Sequence, residues 1–273
     1  MRCFLIFLFV CTRLFSSNTD DTCKALLAEG KLLYHLEKAS WYATDFYRDH
    51  INDGKHPMGG YVSYLGKDEH VITVIIDRTD SSKVLARLTF AALATPTPAI
   101  IDVENKTATP LELDLITLRQ DAIRQIQFDQ SRFFYFNNDF SLNLIPLIQG
   151  ESRRVFIIPG SHSNNVLYLG NDYLLTYNTK NELIKKEKLH KSVIPSYFTY
   201  DGQQVTSSVH SHVLHEYITS TDICTLLLYK EFSKWKSSEV LGREHYSILD
   251  IENETLEIIT REEYDKRNAK KEK

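Results

Sequence analysis

The chain has 273 residues, 42% of them apolar and 25% charged, which is the balance of a folded protein and not of a disordered one. With 36 acidic residues against 32 Lys and Arg, the net charge of −4 lacks the basic excess that nucleic acid selects, and no nucleic-acid partner is expected. Length and composition fit one large or two small domains, without internal repeats or low-complexity segments.

Arg2 precedes a continuous apolar run from Cys3 to Cys11, followed by a polar exit at residues 12–21. A basic start, a short apolar core and a polar exit are the pattern of a secretory signal peptide, here residues 1–17. The run is too short to span a bilayer, so the expectation is export without a transmembrane anchor. A buried N-terminal strand is the competing reading. Removal of residues 1–17 leaves Cys23 and Cys224. They can pair in an oxidising compartment, or Cys224 can serve as a small buried apolar residue.

Over residues 21–49, Leu26, Leu33, Leu36, Ala39 and Phe46 recur at helical spacing. The helix should end before the turn Asn52-Asp53-Gly54. Residues 59–95 read as three antiparallel strands, and 95–102 as a Pro-rich connector. Thr109-Pro110-Leu111-Glu112 is the clearest helix start, with a Thr cap, Pro in the first turn and Glu three residues after the cap. Capping accounts for Glu112 without a catalytic role. Residues 133–150, aromatic and Asn-rich, suggest a partly buried connection, so the chain divides into regions 18–149 and 150–273. Further strands follow at RRVFIIPG, NNVLYLG and DYLLTYN, with Gly170-Asn171-Asp172 a turn between two of them. The strand ELIKKEKLH ends at His190, a candidate additional polar group for a nearby site. HYSILDI and TLEIIT form a C-terminal hairpin, and the charged tail should fray. The fold class is α+β, with mixed, mostly antiparallel sheets and a few packed helices.

The stretch most charged with chemistry is Val205–Leu228. Residues i and i+2 of a strand point to one face, so His210 and His212 can converge on one point. A helix then opens at Thr219, with Asp222 in its first turn. That geometry turns the Asp222 carboxylate back toward the histidines, and two His with one Asp are a ligand set that zinc accepts. His215 and Glu216, in the intervening loop, are candidates for supporting the ligands. A surface His pair beside a helix cap is the plainer alternative.

His210-Ser211-His212 followed by Thr219-Ser220-Thr221-Asp222 resembles the H-x-H…S-x-x-D signature of the JAMM (JAB1/MPN/Mov34) metalloproteases. It differs in having Val213 where the family has Pro, Thr219 where it has Ser, and a loop one residue shorter. The resemblance implies a zinc hydrolase that cleaves a peptide or isopeptide-like amide through a metal-bound water, which the N-terminal pattern would place outside the cytoplasm. His210, His212 and Asp222 would be ligands, and Thr219 would support the oxyanion. For the glutamate base, Glu151 is the first candidate, with Glu182 and Glu187 behind it. Two other classes fit the same residues: an exported binding or scaffold protein, and an inactive JAMM-like interaction domain.

Overall fold

A computed structural model describes residues 11–91, 95–135 and 137–271. Residues 1–10 of the expected signal peptide lie outside the described residues. The first helix, α1 (Cys11–Phe46), closes in a π-helical turn over Tyr47–Ile51. Leu33, Leu36, Ala39 and Ala43 are fully buried, or nearly so, and their spacing makes one apolar stripe along it. Among the described residues no helix is long and apolar enough to cross a membrane.

The stripe packs on an antiparallel sheet formed in chain order by β1 (Met58–Leu65), β2 (Val71–Asp77), β3 (Val84–Phe90) and β4 (Ile100–Asp102). The first three are the expected meander; β4 lies inside the stretch read as connector. Next, α2 (Pro110–Gln127) opens with the expected capping box at Thr109 and Glu112.

A second sheet has the order β5-β6-β8-β9, built from β5 (Phe140–Gln149), β6 (Ser152–Ser161), β8 (Tyr173–Tyr177) and β9 (Leu183–Lys188). Between them, β7 (Val166–Gly170) leaves to pair with β10 (Val193–Tyr197). The segment read as a partly buried connection is therefore a ten-residue strand. Pro146 sits within it without breaking the sheet because β5 is an edge strand, where the missing N–H costs little. Strand pairing from β5 to β6 crosses the expected boundary at residue 150, and the largest apolar core joins Leu33, Ile75, Ile145, Phe156, Ile223 and Trp235 from both sides of it.

A small ribbon of β11 (Thr199–Tyr200) and β12 (Gln203–Gln204) precedes β13 (Ser207–Ser211), the strand that carries the histidines. The helices α3 (Ser220–Leu228) and α4 (Lys230–Ser233) then connect to β14 (Ser237–Leu241), which lies parallel to β13. A parallel pair requires such a crossover. The strands β15 (His245–Asp250) and β16 (Thr255–Thr260) complete this sheet as the expected hairpin. Over residues 261–271 the tail expected to fray is a helix: Thr260 caps α5 (Arg261–Lys271) by exchanging hydrogen bonds with Glu263. Every residue of α3 is buried, against α1 on one side and the β6–β7 region on another. Cys23 and Cys224 are both free thiols; the Cys23 Sγ donates to the Leu256 carbonyl, and Cys224 is fully buried in the core.

Candidate metal centre

The site assembles where the second and third sheets meet the N-terminus of α3. His210 lies near the end of β13 and His212 just beyond it, and both turn inward while Val209, Ser211 and Val213 face out. The alternation is the period of two that the sequence predicts. Thr219 caps α3 from an extended backbone: its hydroxyl accepts from the Asp222 N–H, while its own N–H donates to the Asp222 carboxylate. This box aims Asp222 at the two imidazoles. His190 arrives from the loop after β9, and Asp172 from the turn before β8. Gly170, at φ +73°, lets that turn form and leaves room for the 190–192 loop, because a Cβ there would collide with the Ser192 carbonyl.

Four donors converge. His212 Nε2 lies 2.7 Å from His190 Nε2 and 3.1 Å from His210 Nε2. Asp222 Oδ2 lies 3.2 Å from His212 Nε2 and 3.4 Å from His190 Nε2, and Oδ1 lies 4.0 Å from His210 Nε2. Donors held tetrahedrally about 2.0–2.1 Å from a zinc ion stand about 3.3 Å apart. The triangle of 2.7, 3.2 and 3.4 Å has a circumscribed radius of about 1.8 Å, just under that bond length, so one ion reaches all three corners. The four side chains are buried, and Asp222 is only 1% exposed.

The remaining ring nitrogens fix how the imidazoles face. His212 Nδ1 donates to the Tyr217 carbonyl at 2.8 Å, and His190 Nδ1 donates to Asp172 Oδ1 at 2.6 Å. Both bonds leave Nε2 as the ring's lone-pair nitrogen when the ring is neutral, the arrangement that supports metal-ligating histidines. Asp172 is itself held by the Thr221 hydroxyl. Of the four candidate ligands, two contribute a buried atom without a hydrogen-bond partner among the described residues: His210 Nδ1 and Asp222 Oδ1. An ionised carboxylate oxygen left bare in the interior is costly unless a cation meets it.

The electrostatics agree. Burial opposes an imidazolium at His190, but the Asp222 and Asp172 carboxylates outweigh it and raise its pKa to about 11. At His210 burial dominates, with Asp222 opposing and the other two rings reinforcing, and the pKa falls to about 4. Burial alone would raise Asp222; His190 and His212 instead hold it well below the ordinary carboxylate range. The cluster is thus built around one positive charge, which a proton or a metal ion can supply. The donor set is able to hold a metal ion.

The structure brings His210, His212, Asp222 and Thr219 together, with His190 closing the group. It does not bring Glu151 there. Glu151 is exposed in the β5–β6 turn, next to the end of β6 that pairs with Tyr177. Asp172 adjoins Tyr173, which pairs with Ile157, six residues along β6 and so about 20 Å away. Glu182 binds the Asn178 amide within its own turn, and Glu187 pairs with Lys185. Glu216 accepts the backbone N–H groups of Arg243, Glu244 and His245, fastening the β14–β15 loop; His215 is exposed. The Thr219 hydroxyl is committed to Asp222 Oδ2 at 2.8 Å. In the sequence Asp172 reads as part of its turn alone, and the one usable signal for His190 is a lone His ending a Lys-rich strand.

A cavity of about 30 Å³ opens on His190 and His212, between Ile194 and Leu214. It has room for about one water molecule. No protein-family model, curated protein or solved structure matches the chain.

Proposed function

We propose that this protein is a zinc protein whose ion is held by His190, His210, His212 and Asp222, and that the ion clamps α3 to the two sheets beside it. The observation that carries this is the meeting of three imidazole Nε2 atoms and one carboxylate oxygen at 2.7–3.4 Å. Four protein donors are the mark of a structural site, whereas a catalytic zinc keeps one position open. The ligands come from the loop after β9, from β13 and its exit, and from α3, so a single ion adds one direct tie among segments that packing and a few hydrogen bonds, such as Thr221 to Asp172, also join. Zinc is the ion of choice for a tetrahedral set rich in imidazole.

The small cavity beside His190 and His212 favours a second reading, an amide hydrolase of the kind the JAMM resemblance implies. Bound zinc supplies Lewis-acid polarisation of a carbonyl. On this reading His210, His212 and Asp222 hold the ion, and His190, oriented by Asp172, takes the place of the missing glutamate and holds the proton. The variant His190→Ala separates the two. As a clamp, the protein loses its zinc; as a hydrolase, it keeps the zinc and loses cleavage of a fluorogenic peptide-amide library that the parent cleaves.

A further inference from the structure

A second site lies at the other end of α3. A cleft of about 290 Å³ opens where Tyr229, the C-cap of α3, meets β5, β6 and α1. It is near the lower bound for small-molecule sites, large enough for one ring and little more. Its two walls differ in chemistry. One is aromatic: Trp41, Phe198, Tyr229 and Phe232. Trp41 meets Tyr229 edge to face at 5.6 Å, with Tyr229 in turn 6.2 Å from Phe232, so the wall is a connected set of rings. The other wall carries the side chains of Ser141, Asn143 and Asn164.

Three features suit the cleft to a ligand. First, the amides of Asn143, partly exposed, and Asn164, exposed, line the cleft where a ligand can meet them. Second, Gly160 forms the floor between them, and a Cβ there would lie 2.6 Å from Asn143 Nδ2 and 3.0 Å from Ser141 Oγ. A side chain there would push the Asn143 and Ser141 side chains aside, so the glycine leaves them free to lie along β6. Third, the Trp41 ring is fixed from beneath: its Nε1 donates at 2.9 Å to Glu37, which is itself 1% exposed. A pre-set aromatic face has less conformational entropy to lose on binding.

No charged side chain lines the cleft. Phosphates and carboxylates would find no counter-charge there, which disfavours an anion, and the polar wall of amides and serines suits a neutral ligand. It must present an apolar face to the rings and hydroxyls or carbonyls to amides and serines within the width of one ring. We propose that the cleft binds a neutral sugar ring, free or as the terminal unit of a glycan, with its C–H face on the aromatic wall and its hydroxyls toward Ser141 and Asn143. This site is independent of the metal centre.

The test is saturation-transfer NMR on the full chain with methyl β-glucopyranoside, methyl β-galactopyranoside and N-acetylglucosamine. Glucose 6-phosphate and N-acetylphenylalanine amide serve as charged and non-sugar probes. The expected result is transfer to the ring protons of at least one neutral sugar, with weaker transfer to the phosphate. Both Trp41→Phe and Asn143→Ala should weaken binding by about tenfold. Asn143 is partly exposed, so its variant should keep the parent melting temperature and separate lost binding from lost fold. The proposal is overturned if no neutral sugar receives saturation, if the aromatic amide binds in their place, or if sugar binding survives both variants.

Discussion

Two helices of this protein begin with the same device and end with different chemistry. Thr109 caps α2 with Glu112, and Thr219 caps α3 with Asp222; both acids are almost completely buried. Around Glu112 every lone pair is met. Arg87 Nε and Nη2 each donate at 2.8 Å, the Tyr64 hydroxyl at 3.0 Å and the Thr109 N–H at 2.7 Å. Around Asp222 the Thr219 bonds occupy Oδ2, three imidazoles take the place of a guanidinium, and Oδ1 has no partner. A capping box is therefore no evidence for a metal. What points to one is a buried carboxylate oxygen without a partner, beside three imidazole Nε2 atoms directed at one another. A third buried acid completes the series: Glu37 accepts from Trp41, and burial drives its pKa up to about 8. It meets the cost of burial by keeping its proton.

The comparison can be broken at several points. Removing Arg87 should have the largest effect, because Glu112 then remains buried without its counter-charge. Arg87→Ala is expected to cost about 3–5 kcal/mol in urea unfolding and to leave zinc content unchanged. A cost below about 1 kcal/mol would mean that Glu112 does not depend on the guanidinium.

Glu37 gives a pH signature. The unfolded chain releases this proton near pH 4.5 and the native chain near 8, so native protein binds more protons across that window and stability falls as pH rises. Glu37→Gln keeps the acceptor for Trp41 and removes the titration. Its stability advantage over the parent should widen by about 1 kcal/mol per pH unit between pH 5 and 8. An advantage that stays constant with pH would show that Glu37 is not the buried neutral acid of the series.

At the metal centre, Asp172→Asn weakens the bond that orients His190. Zinc affinity, read by competition with a chelating dye, should fall about 10–100-fold. An unchanged affinity would remove Asp172 from the site. Smallest is the paired cap test. Thr109→Ala and Thr219→Ala should each cost about 1 kcal/mol, but only Thr219→Ala should also loosen zinc. Equal effects on zinc, or none from either, would erase the distinction between the two boxes.

Much of this was legible in the sequence where the signal is local. Both caps, the inward pair His210 and His212, and the first meander follow from spacing and turn chemistry within a few residues. What escaped depends on sheet order and long-range pairing. Pro146 argues against a central strand, but β5 is an edge. Residues 237–241 show no strong alternation, and become a strand because β13 and β15 flank them. His190 and Asp172 reach the site from 20 and 38 residues before His210, carried by the β7–β10 pairing that folds the loop after β9 over the turn before β8. Glu151 failed for the same reason: its position in the chain allows the site, but its place at the far end of β6 does not.

Whether the cluster holds an ion is decided by metal content from mass spectrometry, on the full chain purified without chelator and on the His210→Ala/His212→Ala variant. The parent chain should carry about one zinc and the variant none. A parent chain that holds no metal after zinc is supplied, or a variant that holds as much as the parent, would contradict the zinc centre.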